Sequence, residues 1–127
     1  MDWVSDTVSA FGQSIGIPDL ALDTDGYVLF TLESGGLLCV QDLHAEGAND
    51  ILVTVAQPLP MPRAGALRKA LMLADFRKSP AWQMQLGLRG EDLSVSLRMP
   101  RPSFVLSALE DAVQALFDFH SRVAQEH

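Results

Sequence analysis

The stretch from Phe11 to Phe30 constrains the fold more than any other part of the chain. It reads as the end of an amphipathic helix, a Gly16-Ile17-Pro18 stop, a Leu20-Ala21-Leu22 bridge, an Asp23-Thr24-Asp25-Gly26 turn and an apolar strand. Gly16 falls where a helix favours a left-handed residue just past its last turn. Ile17 is placed to fold back onto Phe11, the hydrophobic contact that accompanies such a cap. Pro18 cannot continue the helix and biases Ile17 toward an extended conformation. Asp25-Gly26 supplies turn chemistry before a strand over Tyr27 to Leu32. A helix, a sharp stop and a sheet follow one another within 20 residues, and the rest of the chain has to pack against that corner.

The remaining elements follow from periodicity. Asp2 to Ile15 carries Val4, Val8, Phe11 and Ile15 at helical spacing, flanked by Trp3, Thr7 and Ala10. In the first strand Val28, Phe30 and Leu32 point one way and Tyr27, Leu29 and Thr31 the other, with apolar groups on both faces. Glu33-Ser34-Gly35-Gly36 connects it to a return strand over Leu37 to Leu43. His44 to Asp50 is a loop, and Ile51 to Ala56 is a third strand rich in β-branched residues. Pro58, Pro60 and Pro62 permit neither ladder nor helix and predict an extended crossover. Arg63 to Lys78 is a helix ended by Pro80. Its stripe of Leu67, Ala70, Leu71 and Ala74 is widened by Met72, Leu73 and Phe76, which predicts burial on more than one side. Trp82, Met84, Leu86 and Leu88 alternate with polar or small residues, as do Leu93, Val95, Leu97 and Met99, and Arg89-Gly90-Glu91-Asp92 joins the two strands. A last helix from about Ser103 to Ala124 carries Leu106, Leu109, Val113, Leu116, His120 and Val123 on one face. A Ser107/Glu110 capping box would start it one turn later. The order α-β-β-β-α-β-β-α, with antiparallel hairpins separated by helices, predicts an α+β fold: three helices on an antiparallel sheet of about five strands. The length of 127 residues predicts one domain over 1–127.

Composition removes several functions. A net charge of -7 opposes nucleic-acid phosphates and anionic lipid, so neither nucleic-acid binding nor membrane insertion is expected. The first 16 residues lack the basic start and continuous apolar run of a secretion signal, no stretch approaches a membrane span, and a single cysteine suits a reducing compartment. A cytoplasmic protein is expected. No catalytic constellation is visible. Asp23 and Asp25 lack the further oxygen ligands of a calcium loop and read as turn formers. His44, His120, His127 and Cys39 lack metal-ligand spacing with one another. His120 lies on an apolar helix face, and Cys39 lies within a strand, where a buried small hydrophobe is the common case. No cofactor motif, metal site or enzyme is predicted. What remains is surplus apolar surface in Trp3, the two-sided first strand and the second helix, which marks a protein-binding surface.

The run Ile15-Gly16-Ile17-Pro18-Asp19-Leu20-Ala21-Leu22-Asp23, followed by Asp25-Gly26 and an apolar strand, resembles the opening of the class I chaperones of bacterial type III secretion. The order of elements is similar to that family over nearly the whole chain. The resemblance implies a bacterial cytoplasmic homodimer that binds the N-terminal segment of a secreted effector and holds it non-globular and export-competent without nucleotide, with the secretion ATPase as a further partner. On this reading Trp3, Val4, Val8 and Phe11 of the first helix, with Leu29 and Leu38 of the sheet, line the effector groove, and Trp3 and Val4 are its exposed members. Leu67, Leu71 and Met72, with Trp82 beside them, form the two-fold interface. A regulatory or scaffold interaction domain on the same fold is the alternative, and a small enzyme or ligand-binding protein stands third.

Overall fold

A computed structural model describes residues 3–17, 20–32, 35–75 and 83–125. Helix α1 (Trp3–Ser14) leads to strands β1 (Tyr27–Thr31), β2 (Leu37–Asp42) and β3 (Asp50–Pro58), with a short 3-10 turn at Leu43–Glu46. Helix α2 (Arg63–Asp75), strands β4 (Gln83–Arg89) and β5 (Asp92–Pro100), a 3-10 turn at Arg101–Ser103 and helix α3 (Leu106–Gln125) complete the chain. The expected order of three helices and five strands is the order found. Trp82, Phe76 and Pro80 lie outside the described residues.

The α1 stop takes the form that its residues dictate. Gly16 sits at φ +81°, its N–H bonds the Gln13 carbonyl, and the Ile17 N–H bonds the Gly12 carbonyl at 2.7 Å. This is the paired closure of a Schellman cap. Gly12 also has a role that its sequence position did not reveal. A Cβ there would lie 2.6 Å from the Leu20 Cβ and 2.7 Å from the Ile17 carbonyl oxygen, so the returning chain can cross the helix only over a glycine. In the next turn, the Asp23 carboxylate accepts hydrogen bonds from the N–H groups of Asp25 and Tyr27 at 2.9 and 3.0 Å. Asp23 is therefore committed to the turn, as its spacing predicted.

The five strands form one sheet in the order β1-β2-β3-β5-β4, with every neighbouring pair antiparallel. The chain leaves β3 through the prolines and α2, returns along the far edge as β4, and then fills the gap as β5. Strand β3 runs to Pro58, longer than the Ile51 to Ala56 expected, because β5 pairs with it along its whole length. Register sorts the side chains cleanly. Val28, Val40, Val53, Leu97 and Met84 align across the five strands, and so do Phe30, Leu38, Val55, Val95 and Leu86. These rows face the helices. Helix α3 packs on β3 and β5, and α1 and α2 flank it. All three helices contribute to a single core cluster with those strand residues. Helix α3 begins at Leu106, and its first bond runs from the Leu109 N–H to the Val105 carbonyl. Ser107 thus falls inside the first turn and does not cap it. Among the described residues no helix is long and apolar enough to cross a membrane.

Candidate functional site: two unpartnered apolar surfaces

Helix α1 spends its large side chains on its own core. Val4, Val8, Phe11 and Gly12 are buried, because the i, i+4, i+7 stripe faces α3 and the sheet. Val4 is fully buried, which corrects the expectation that it is an exposed groove residue. Trp3, one position away and rotated by ~100° around the helix, keeps 44% of its surface exposed, and Ile15 at the other end keeps 43%. Trp3 is held in place. Its indole N–H donates to the Arg101 carbonyl at 3.3 Å, and the Arg101 guanidinium lies 4.8 Å from the ring centroid. At that distance a cation over an indole is attracted by the ring's quadrupole. Arg101 itself is buried and donates from Nε and a terminal nitrogen to the two carboxylate oxygens of Asp42, at 3.0 and 3.1 Å. Asp42 also accepts from the His44 N–H and so caps the turn after β2. Residues 3, 42 and 101 thus tie the start of α1 to the end of β2 and the exit of β5.

The face of the sheet turned away from the helices is divided. Toward β4 and β5 it presents Ser94, Arg98 and Gln85, with the Thr54 and Ser96 hydroxyls bonded to each other at 2.8 Å. Toward β1 and β2 it presents Tyr27, Leu29, Leu37 and Leu52, of which Leu29 is 40% exposed and the others are half-buried. Cys39 lies between them, opposite Leu29, and is buried. Burial pushes its thiol up, while hydrogen bonding with Cys39, and then partial burial, push the Tyr27 phenol up. Both groups stay neutral at physiological pH, although the Arg89 charge favours the ionised form of each and so offsets part of the rise. Leu38 pairs with Phe30, not Leu29, and faces the helices at 2% exposure. The structure therefore separates the groove residues named from sequence. Val4, Val8, Phe11 and Leu38 join one core cluster, and Trp3 and Leu29 remain at the surface. Leu29 and Leu38 cannot line one groove, since a one-position step along a strand changes face. Leu37 and Leu52 were missed. Alternation along β2 and β3 gave each strand two apolar faces, and only pairing showed which members join Leu29.

Helix α2 shows the reverse of an ordinary amphipathic pattern. Its fully buried residues are Ala66 and Ala70, with Leu73 and Ala74 packed beside them. Leu71 and Met72 stand 52% and 53% exposed, and Leu67 is half-buried. The stripe expected at Leu67, Ala70, Leu71 and Ala74 is thus rotated by one position. Small residues let α2 sit close on α3, and the large side chains of Leu71 and Met72 point away from the core. Trp82, expected beside them, lies outside the described residues.

No family model matches the chain and no curated protein matches it. Solved structures do. A chain of the ExsC-ExsE complex matches with a TM-score of 0.75 at 16% identity, covering 98% of this chain and 96% of that one. The type III secretion chaperone SycH of Yersinia pestis, solved with a fragment of YscM2, matches at 0.70 and 11% identity over 94% and 98%. A chain of the HopA1-SchA chaperone-effector complex matches at 0.68 and 16% identity over 98% of both. YbjN from E. coli, described as a putative transcription regulator, shares the architecture more loosely, at 0.52 and 12% identity over 94% and 88%. From end to end, this chain has the fold seen in the type III secretion chaperones.

Proposed function

We propose that the protein is a type III secretion chaperone: a homodimer that binds the N-terminal segment of a secreted effector and keeps it non-globular until export. The observation that carries this reading is the match over 98% of both chains to a structure of a chaperone with its effector. The distribution of apolar surface supports it. Trp3 and the Leu29, Leu37 and Leu52 patch offer side-chain contacts to an extended segment, over a floor held rigid by Val4, Val8, Phe11 and Leu38. Strand β1 is an edge strand, so an extended client can continue its backbone ladder while alternate side chains enter the patch. Leu67, Leu71 and Met72 serve the two-fold contact, Trp82 is assigned to it from sequence, and a self-complementary dimer is the commonest way to cover such a face. Handover of the loaded dimer to the secretion ATPase belongs to the same reading, which requires no catalytic step. Apolar burial dominates the affinity, so salt weakens client binding only modestly.

The test is co-purification from the native host with mass identification of the retained protein, followed by titration of its isolated N-terminal segment onto the purified dimer. A segment that binds, stays without a fold of its own in the complex, and loses affinity at least tenfold against Leu29→Asp supports the reading. A retained partner that binds only when folded, through another region, would replace it with the regulatory-domain alternative, to which the likeness to YbjN belongs.

A further inference from the structure

We propose that the cavity between the C-terminal half of α3 and the end of β3 is a binding site for a phenol ring, held by a hydrogen bond from its hydroxyl to Nδ1 of His120. The cavity has a volume of about 190 Å³. Its walls are Pro58, Leu93 and Phe117 with further apolar neighbours, and its polar members are Gln57, His120 and Ser121. An apolar cavity of about 150 Å³ takes up a benzene molecule, so the volume here suits one six-membered ring with a small substituent. No acidic or basic side chain other than His120 lines it, so a charged ligand would leave water without a counter-charge.

The pattern of donors and acceptors selects a phenol among such rings. His120 is buried at 9% exposure, and its Nε2 lies 2.9 Å from the Val55 carbonyl oxygen. A carbonyl only accepts, so Nε2 carries the proton and Nδ1 of the neutral ring is an acceptor. Burial lowers the ring's affinity for a second proton, the Val55 carbonyl offsets that only in part, and the ring is neutral at physiological pH. Val55 lies between β2 and β5 in the middle of the sheet, so the ring is fixed to a strand supported on both sides. Among the described residues neither Nδ1 nor the Ser121 hydroxyl has a hydrogen-bond partner. With Nε2 committed, Nδ1 is the ring nitrogen left for a ligand, and Ser121 supplies a donor to the same cavity. A phenol oxygen donates one hydrogen bond and accepts another, so it answers both groups. A hydrocarbon ring answers neither. The site lies on the helix side of the sheet, whereas the Leu29, Leu37 and Leu52 patch lies on the other face, so it is separate from the client surface proposed above. A free small phenol and the tyrosine side chain of a polypeptide offer the same chemistry.

The test is NMR titration of the full chain with phenol, toluene and N-acetyltyrosinamide, read on the backbone amides and on the ring nitrogens of His120. Phenol should saturably shift the amides of Gln57, Leu93, Phe117 and Ser121 and move the Nδ1 resonance, whereas toluene, which lacks the hydroxyl, should leave Nδ1 in place. Ser121→Ala, at an exposed helix position, should weaken phenol by about three- to tenfold, the worth of one ordinary hydrogen bond, and should not weaken toluene. Ala124→Phe sets a ring against the cavity and should abolish binding of both probes. Competition of N-acetyltyrosinamide with phenol assigns the site to a tyrosine side chain, and binding of phenol alone assigns it to a free small phenol. An Nδ1–H tautomer, the absence of a saturable shift at the lining residues, an equal displacement of Nδ1 by toluene, or an unchanged phenol affinity in Ser121→Ala would overturn the proposal. If Ala124→Phe does not fold, the ring resonances and Ser121→Ala decide. No readout depends on client binding, so the result stands apart from the chaperone reading.

Discussion

Helices α1 and α2 are about equally long and both flank α3, yet they treat their apolar residues in opposite ways. In α1 the large residues Val4, Val8 and Phe11 go inward. In α2 the alanines Ala66 and Ala70 go inward, and Leu71 and Met72 go outward. The anchors of the two helices differ in the same sense. The start of α1 is held through Trp3 by the buried Arg101–Asp42 pair, whereas the start of α2 is tied by the Arg63–Glu91 pair, which lies mostly in solvent. One helix is built to complete this chain's own core. The other holds apolar surface in reserve, which makes sense if a second chain covers it.

The comparison breaks most visibly in the core. Phe11→Ala removes a ring that is 3% exposed and should cost about 3–5 kcal/mol, read as a fall in the thermal unfolding midpoint. The same truncation at Met72 should leave the unfolding midpoint of the dissociated protein within about 0.5 kcal/mol of wild type. Equal losses at the two sites would show that the Met72 face of α2 also packs against its own chain.

The anchors give the next effect. Asp42→Ala leaves the Arg101 guanidinium buried without its carboxylate and should cost about 3 kcal/mol by denaturant titration. It should also free Trp3, shifting its fluorescence toward that of a solvated indole. Glu91→Gln, at an ion pair in solvent, should change stability by under about 1 kcal/mol. A small effect at Asp42 would mean that the start of α1 is held by its apolar contacts alone.

The smallest change in monomer stability should carry the largest change in assembly. Leu71→Glu places a charge on an exposed position and should alter the fold by no more than about 0.5 kcal/mol. Light scattering at micromolar concentration should nevertheless show wild-type dimer becoming monomer. A variant that remains dimeric would move the two-fold contact off α2.

Local chemistry made most of the architecture readable in advance. Gly16 followed by Ile17-Pro18 ends a helix in any context, and Asp23 closes its turn with its own carboxylate. The alternation through β5 marks a strand because strand side chains repeat every two residues. The helical period did the same for α3, including buried His120. Partner choice across long separations was not readable. Nothing near Trp3, Asp42 or Arg101 in sequence shows that these residues meet, because their contact depends on how β2 and β5 end within the sheet. Nor could alternation decide that Leu29 faces away from the helices while Leu38 faces them, since both strands carry apolar residues on both faces. The rotation of α2 was out of reach for a related reason. A helix that is apolar most of the way round has no preferred inward side by periodicity, and the close approach to α3 selected the alanines. The sequence by itself determined which segments form helices and strands, because those signals lie within a few residues of one another. Only the tertiary structure decided which apolar residues are spent on the core and which remain for a partner, because that depends on which surfaces the other elements cover.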